Sequence, residues 1–275
     1  MRARVAVLTA AFLVAGSSAA PAQGPGDPTT VFADGLGAAC RMAFDSVGNL
    51  LVASLNTGEI WSIDPAGGVT LFTDQVPDPR WVSFDAFGWP LVTSHTNAMV
   101  HRISPQGEVT EFAPVDGGVG IVTDQDGSVW VAAVDTLWHF DAMGRVLEAI
   151  ETLDTYGIAA RGIYPAPNGS LYLTGSAGAL WRLVDGVPEQ LQDVHPYRWW
   201  GLAFDVAGNG YWAHEGIDEG DIDRLVLIDL DGNWLNETWS TQLVDPCRCV
   251  FGRKSHRKRQ SGVWSIVTRA WRSPM

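Results

Sequence analysis

Short apolar runs alternate with punctuation rich in Gly, Pro and Asp along the chain, and residues 42–68 set the pattern. Ala43-Phe44 leads into Asp45-Ser-Val-Gly48-Asn49. That stretch predicts a turn, because Asp bonds nearby backbone and Gly accepts positive φ. Residues 50–54 read as a strand, Asn56-Thr-Gly58 as a second turn and residues 60–63 as another strand. Asp64-Pro-Ala-Gly67 closes that strand, and residues 69–72 form one more. One unit is therefore four short strands with turn residues between them, the signature of antiparallel all-β structure.

The unit recurs. Asp85-Ala-Phe-Gly88, Asp124-Gln-Asp-Gly127, Pro167-Asn-Gly169 and Asp205-Val-Ala-Gly208 each precede an apolar run. The turn glycines 48, 88, 127, 169 and 208 are separated by 40, 39, 42 and 39 residues. The second half of the unit repeats in register as IWSIDPAG, VHRISPQG, LWHFDAMG, LWRLVDG and LVLIDLDG. A period near 40 with four strands per period is the pattern of a β-propeller blade. Residues 29–34 resemble the last strand of a unit and stand before any first strand, so they are placed to complete the final blade and fasten the ring. Five clear four-stranded blades and one closing blade predict an all-β, six-bladed propeller whose sixth blade is incomplete or degenerate.

That sixth blade begins in register: Cys247, Arg248 and Phe251 fall on Cys40, Arg41 and Phe44. The basic run from Gly252 to Gln260 then stands where a turn and a strand belong. Two readings stay open for residues 252–275, a divergent blade with a basic excursion or the product of a shifted reading frame. Residues 1–22 are a different kind of segment. Arg2 and Arg4 precede an apolar core at residues 5–14 that is too short to span a bilayer, and Ala20-Pro21-Ala22 offers a cleavage site. This reads as a secretory signal peptide. The expected division is a leader at 1–22, a propeller at 23–251 and the basic tail. The expected place is outside the cytoplasm, secreted or periplasmic, and an Ala- and Gly-rich body with no Lys before residue 254 suggests a bacterium.

Charge sharpens the contrast between body and tail. The net charge is −13, but the first 245 residues hold all 31 carboxylates and ten of the 18 Lys and Arg. So acidic a body excludes nucleic acid as a partner. Past residue 20 the chain has no long apolar run of the kind a membrane span needs, and a monomer is expected. In an exported protein, Cys40 and Cys247, at equivalent positions, are candidates for a disulfide.

Candidate chemistry follows from the register. In a propeller, the loops entering the inner strands share a face with the loops joining second and third strands, and ligands sit where these loops surround the channel mouth. The first set supplies Arg41, Arg80, Trp81, Arg161, Arg198, Trp199 and Trp200, with Arg80 and Arg161 at the same register, each four residues before the position equivalent to Phe44. Arg and Trp suit an anionic or planar ligand, through forked hydrogen bonds and stacking. The same residues also suit a bland role, offsetting the acidic shell and packing between blades. The second set supplies Asn56, His95, Asn97, Asp135, Ser176, His214 and Glu215. His, Asn and carboxylates at one mouth are candidates for a divalent cation, Ca²⁺ or Mg²⁺. His214 and Glu215, with His95, are candidates for proton transfer, although neighbours on a strand point to opposite faces. His101 and His139 lie among apolar residues and read as structural.

Units such as MAFDSVGNLLVASLNTGEIWSIDPAGGVTLF and HRISPQGEVTEFAPVDGGVGIVTDQDGSVWVA resemble the repeats of the six-bladed NHL, gluconolactonase (senescence marker protein-like) and streptogramin lyase superfamily. The resemblance covers residues 29–251 and lies in framework positions. It implies a propeller with a site at the channel mouth. Gluconolactonase-like members imply a divalent metal held by Glu, Asn and Asp, for which Asn56, Asn97 and Asp135 are the nearest counterparts; the first inner strand lacks the Glu. Streptogramin lyases imply a Gly-Pro-His-Gly element entering the inner strands, and no inner-strand entry here carries His. The expectation is therefore an exported propeller binding a small molecule or a protein partner at the mouth. The alternative is a metal-dependent lactonase or a streptogramin lyase-like enzyme.

Overall fold

In the computed structural model the described residues are 5–12, 30–34, 36, 38–55, 57–152, 156, 158–175, 178–192, 198–205, 207–215, 224–240, 250–253 and 262–268. Five four-stranded antiparallel sheets follow one another in chain order. Blade I holds β3 (Ala38–Phe44), β4 (Leu50–Leu55), β5 (Ile60–Ile63) and β6 (Val69–Thr73). Blade II holds β7 (Pro79–Phe84), β8 (Pro90–Ser94), β9 (Met99–Ile103) and β10 (Val109–Pro114). Blade III holds β11 (Gly120–Thr123), β12 (Val129–Ala132), β13 (Thr136–Phe140) and β14 (Val146–Glu151). Blade IV holds β15 (Ala160–Pro165), β16 (Leu171–Gly175), β17 (Leu180–Val184) and β18 (Val187–Gln192). Blade V holds β19 (Arg198–Phe204), β20 (Gly210–Glu215), β21 (Arg224–Ile228) and β22 (Trp234–Ser240).

The first strand of each blade touches the first strand of the next, so β3, β7, β11, β15 and β19 line the axis. Second strands are packed on both faces by neighbouring blades. Every residue of β4, β8, β12 and β16 is buried. This is why LLVASL, PLVTS, VWVA and LYLTG run as near-continuous small and apolar stretches where a half-exposed strand would alternate. Fourth strands form the outer rim, and β14 is largely exposed. Clusters around Val129, Val131 and Phe140, and around Leu171, Leu173 and Leu183, fill the spaces between blades.

The expected count of six needs a correction: the structure shows five blades of consecutive strands. The remaining strands form a separate sheet drawn from both ends of the chain. Its members are β23 (Val250–Arg253), β24 (Gly262–Thr268), β1 (Val5–Phe12) and β2 (Thr30–Asp34), in the order β2-β1-β24-β23. β23 lies beside β19 on one side and β3 on the other. β2, the strand expected to close the ring, is the outer strand of this sheet, but it pairs with β1. β1 in turn pairs with β24. Residues 5–12 fall within the segment expected to be a leader. Cys247 lies outside the described residues. Among the described residues no helix is long and apolar enough to cross a membrane.

Candidate functional site

A repeated irregularity builds the mouth. In β7, Pro79 pairs with Ser94 and Trp81 with Thr93, so Arg80 is an extra residue. In β15, Ala160 pairs with Gly175 and Gly162 with Thr174, so Arg161 is the extra residue. Cys40 is the extra residue of β3. In β11, Val119 and Gly120 both meet Ala132. In β19, the register slips by one residue between Trp199 and Leu202. All five inner strands thus carry a β-bulge at one level, and a bulge bends its strand and re-aims a side chain. The Trp81 amide at this bulge donates to the Thr93 hydroxyl at 3.1 Å.

Beside Arg80 lies an open cavity of about 640 Å³ between blades I and II, lined in part by Thr57, Gly58, Asp74, Asp78, Arg80 and Thr96. The Arg80 guanidinium donates through Nη2 to Asp78 Oδ2 at 3.0 Å. Its side chain is 35% exposed, and the Nε–H is buried without a hydrogen-bond partner. Asp78 has φ 45°, a left-handed conformation that Asp tolerates. Its loop is tied to the turn after β8: Ser94 Oγ donates to the Pro77 carbonyl, and the His95 amide to the Asp78 carbonyl at 3.4 Å. Gly58, at φ 75°, leaves space against the carbonyls of Val76 and Asp74, where a Cβ would stand 3.2 and 3.5 Å away.

Next to the bulges, three side chains from blades I, II and IV meet. The Arg41 guanidinium lies 4.3 Å from the Trp81 ring centroid, and Trp81 packs on Tyr164 with centroids 5.4 Å apart. All three side chains are buried. Gly120 and Gly162 hold the axial position in blades III and IV. A Cβ on Gly162 would meet the Tyr164 hydroxyl at 2.4 Å and the Trp81 ring at 2.9 Å.

The other expected residues distribute as follows. Arg161 is exposed at its bulge. Arg41 and Trp81 lie under the mouth, facing the axis. Arg198 pairs with Glu215 and Trp199 with His214 across β19 and β20, and Trp200 lies in the bulged stretch; these five are placed by backbone alone. His95 and Asn97 are exposed in the turn after β8. Asn97 Nδ2 is 3.0 Å from His101 Nε2. Asp135 is exposed, and its Oδ1 accepts from the Thr136 hydroxyl at 3.2 Å. Asn56 and Ser176 lie outside the described residues. Among the described residues no group of three or more His, Cys, Asp or Glu side chains comes together.

His101 and His139 hold to the structural reading. Burial lowers both pKa values from 6.5, partly opposed by Glu111 at His101 and by Asp126, Glu148 and Asp124 at His139. The His139 ring stacks on Trp130, centroids 3.8 Å apart. The features that sequence reasoning missed are the axial Arg41–Trp81–Tyr164 stack and the cavity residues Asp74 and Asp78. The equal spacing of Arg80 and Arg161 was a signal for the bulge. Nothing local announced the stack, which joins three blades.

A ring of four-stranded blades with its polar residues at one mouth defines a β-propeller. Among solved structures it is similar in fold to the streptogramin lyase and gluconolactonase propellers. A catalytically inactive virginiamycin B lyase from Staphylococcus aureus, solved with quinupristin, matches at 19% identity and TM-score 0.56 over 64% of this chain. The chain spans only 63% of that lyase's length. A gluconolactonase from Xanthomonas campestris matches at 13% identity and TM-score 0.60, over 85% of this chain and 87% of its own. A chain of the nidogen–laminin complex matches at 14% identity and TM-score 0.62, over 76% and 83%. No family model matches the chain, and no curated protein does at the same stringency. Identities this low speak for the fold.

Proposed function

We propose that the protein is an exported binding module that takes a small molecule bearing an anionic group at the rim of the channel mouth. The observation that supports this is the repeated bulge, which sets Arg80 at a cavity and Arg161 at the equivalent exposed position. A guanidinium offers five donors in a fixed fork that matches a carboxylate. Titration calorimetry with carboxylates of two to six carbons tests the reading. Arg80→Gln weakens binding at least tenfold if it holds; equal affinity in wild type and variant refutes it.

A metal-dependent lactonase or lyase is the second reading, favoured by the fold shared with a gluconolactonase and a virginiamycin B lyase. It requires residues such as Asn56 to join His95, Asn97 and Asp135 around an ion. A ligand that binds only the folded state raises the melting midpoint. A midpoint that rises with Ca²⁺ or Mg²⁺ and falls with EDTA would support this second reading; no change would count against it. In either reading we take the sheet of β23, β24, β1 and β2 as the closing sixth blade.

A further inference from the structure

Resting on the anion reading, we infer that the ligand of the cavity between blades I and II is zwitterionic, with its anionic group on Arg80 and a cationic group on Asp74. The argument begins with charge. The cavity is lined by two carboxylates, Asp74 and Asp78, against one guanidinium. Asp78 already pairs with Arg80 at 3.0 Å. That pair uses one Nη, and the half-buried guanidinium keeps further Nη–H donors for a ligand. Asp74 is exposed on the cavity wall. The local balance is therefore one carboxylate in excess.

The whole body adds to this. Its first 245 residues carry 31 carboxylates against ten cations. Such a field lowers the concentration of any net anion near the surface. A ligand with only a negative group meets one good partner and a repelling surround. A ligand that also carries an ammonium has no net charge for the field to repel, and its cation meets Asp74. The remaining wall fits a polar guest: Gln75 and the Thr57 and Thr96 hydroxyls supply neutral donors and acceptors, and Val76 and Pro77 a small apolar surface. A volume of about 640 Å³ suits a small molecule.

Matched probes separate the terms. ω-Amino acids of two to six carbons, the carboxylates of the same length and the corresponding alkylammonium ions are titrated calorimetrically into the full chain at low salt. The best ω-amino acid binds at least tenfold more tightly than its carboxylate and its alkylammonium. Asp74→Asn removes that advantage while leaving carboxylate affinity in place or improved. Arg80→Gln weakens the amino acid and the carboxylate together. Both positions are at the surface of the cavity, and coincident melts of the variants with wild type show that they fold. Equal affinity for amino acid and carboxylate, or an advantage that survives Asp74→Asn, overturns the zwitterion and leaves an anion site at Arg80. No binding by any of the three probe classes overturns both readings.

Discussion

At the scale of single residues, the repeat is written by aspartates that fold their own turns. Asp45 Oδ1 accepts the amides of Val47, Gly48 and Asn49 at 2.7–2.9 Å, and Asn49 Nδ2 closes on Oδ2 at 2.8 Å. Asp205 and Asp229 repeat the arrangement with Asn209 and Asn233. Replacing Asp205 by Ala strips the acceptor from two backbone amides. Each such bond contributes about 0.5–1.5 kcal/mol, so Asp205→Ala is expected to cost about 1–2 kcal/mol, read from urea midpoints. Gly120 is constrained differently. A Cβ there would stand 2.9 Å from the Ile163 amide nitrogen, which is backbone and cannot swing aside. Gly120→Ala is expected to destabilise by about 1–3 kcal/mol in the same measurement. The histidines set a pH dependence. Because burial depresses their folded pKa values below 6.5, the unfolded chain takes up these protons first as pH falls. Their contribution is whole above about pH 6.5 and is lost as pH drops toward the folded values. Urea midpoints of wild type are expected to fall more steeply between pH 7.5 and 5.5 than those of a His101→Gln, His139→Gln double variant.

At the scale of elements, third strands reach across to the next blade. Arg102 of β9 pairs with Asp85 at 3.0 Å, and its Nη2 donates to the Ala142 carbonyl at 2.7 Å. Arg182 of β17 pairs with Glu189 and with Asp231, each within 3.0 Å. Ala142 and Asp231 belong to corresponding turns of blades III and V. Asp85 is buried to 1% side-chain exposure. Arg102→Met leaves that carboxylate without its cation and is expected to cost about 3–5 kcal/mol in chemical denaturation. The turn at the mouth holds a strained residue, Ala98 at φ 52°. Ala98→Gly is expected to raise stability by about 1 kcal/mol, visible as a higher melting midpoint. The strands themselves were legible: their apolar runs and turn glycines sit where the repeat placed them. The site was legible in part. Equal spacing exposed Arg80 and Arg161 as a pair, but a bulge is a mismatch between two strands and needs both in register. The Arg41–Trp81–Tyr164 stack is farther from local sequence still, because ring closure alone brings blades I, II and IV together. Asn97 looked like a donor from its turn; the hydrogen bond to His101 depends on a geometry that spacing does not specify.

At the scale of the whole molecule, the two chain ends share one sheet. β1 hydrogen-bonds along its length to β24 and at three positions to β2. The same residues carry the composition of a leader, so cleavage near residue 22 would remove one strand of this sheet. A chain beginning at residue 23 lacks β1. Its melting midpoint is expected to lie more than about 5 °C below that of the full chain, read by differential scanning calorimetry. Mass spectrometry of the protein isolated from its own cells tells whether it begins at residue 1 or near residue 23. The period of 40 revealed the five consecutive blades because each is contiguous in sequence. It placed residues 29–34 and the stretch through Phe251 in a closing blade, as β2 and β23 are, but not β1, because no repeat links residue 5 to residue 268.

The bulges carry a further consequence. Five inner strands present one surplus position each, held by Cys40, Arg80, Val119, Arg161 and Trp200, and a surplus residue contributes little to the ladder on either side. These positions are interchangeable sockets in a fixed frame. A new side chain at residue 119 would alter what the rim recognises while leaving the architecture beneath it untouched. A ring of this kind can change its vocabulary one letter at a time.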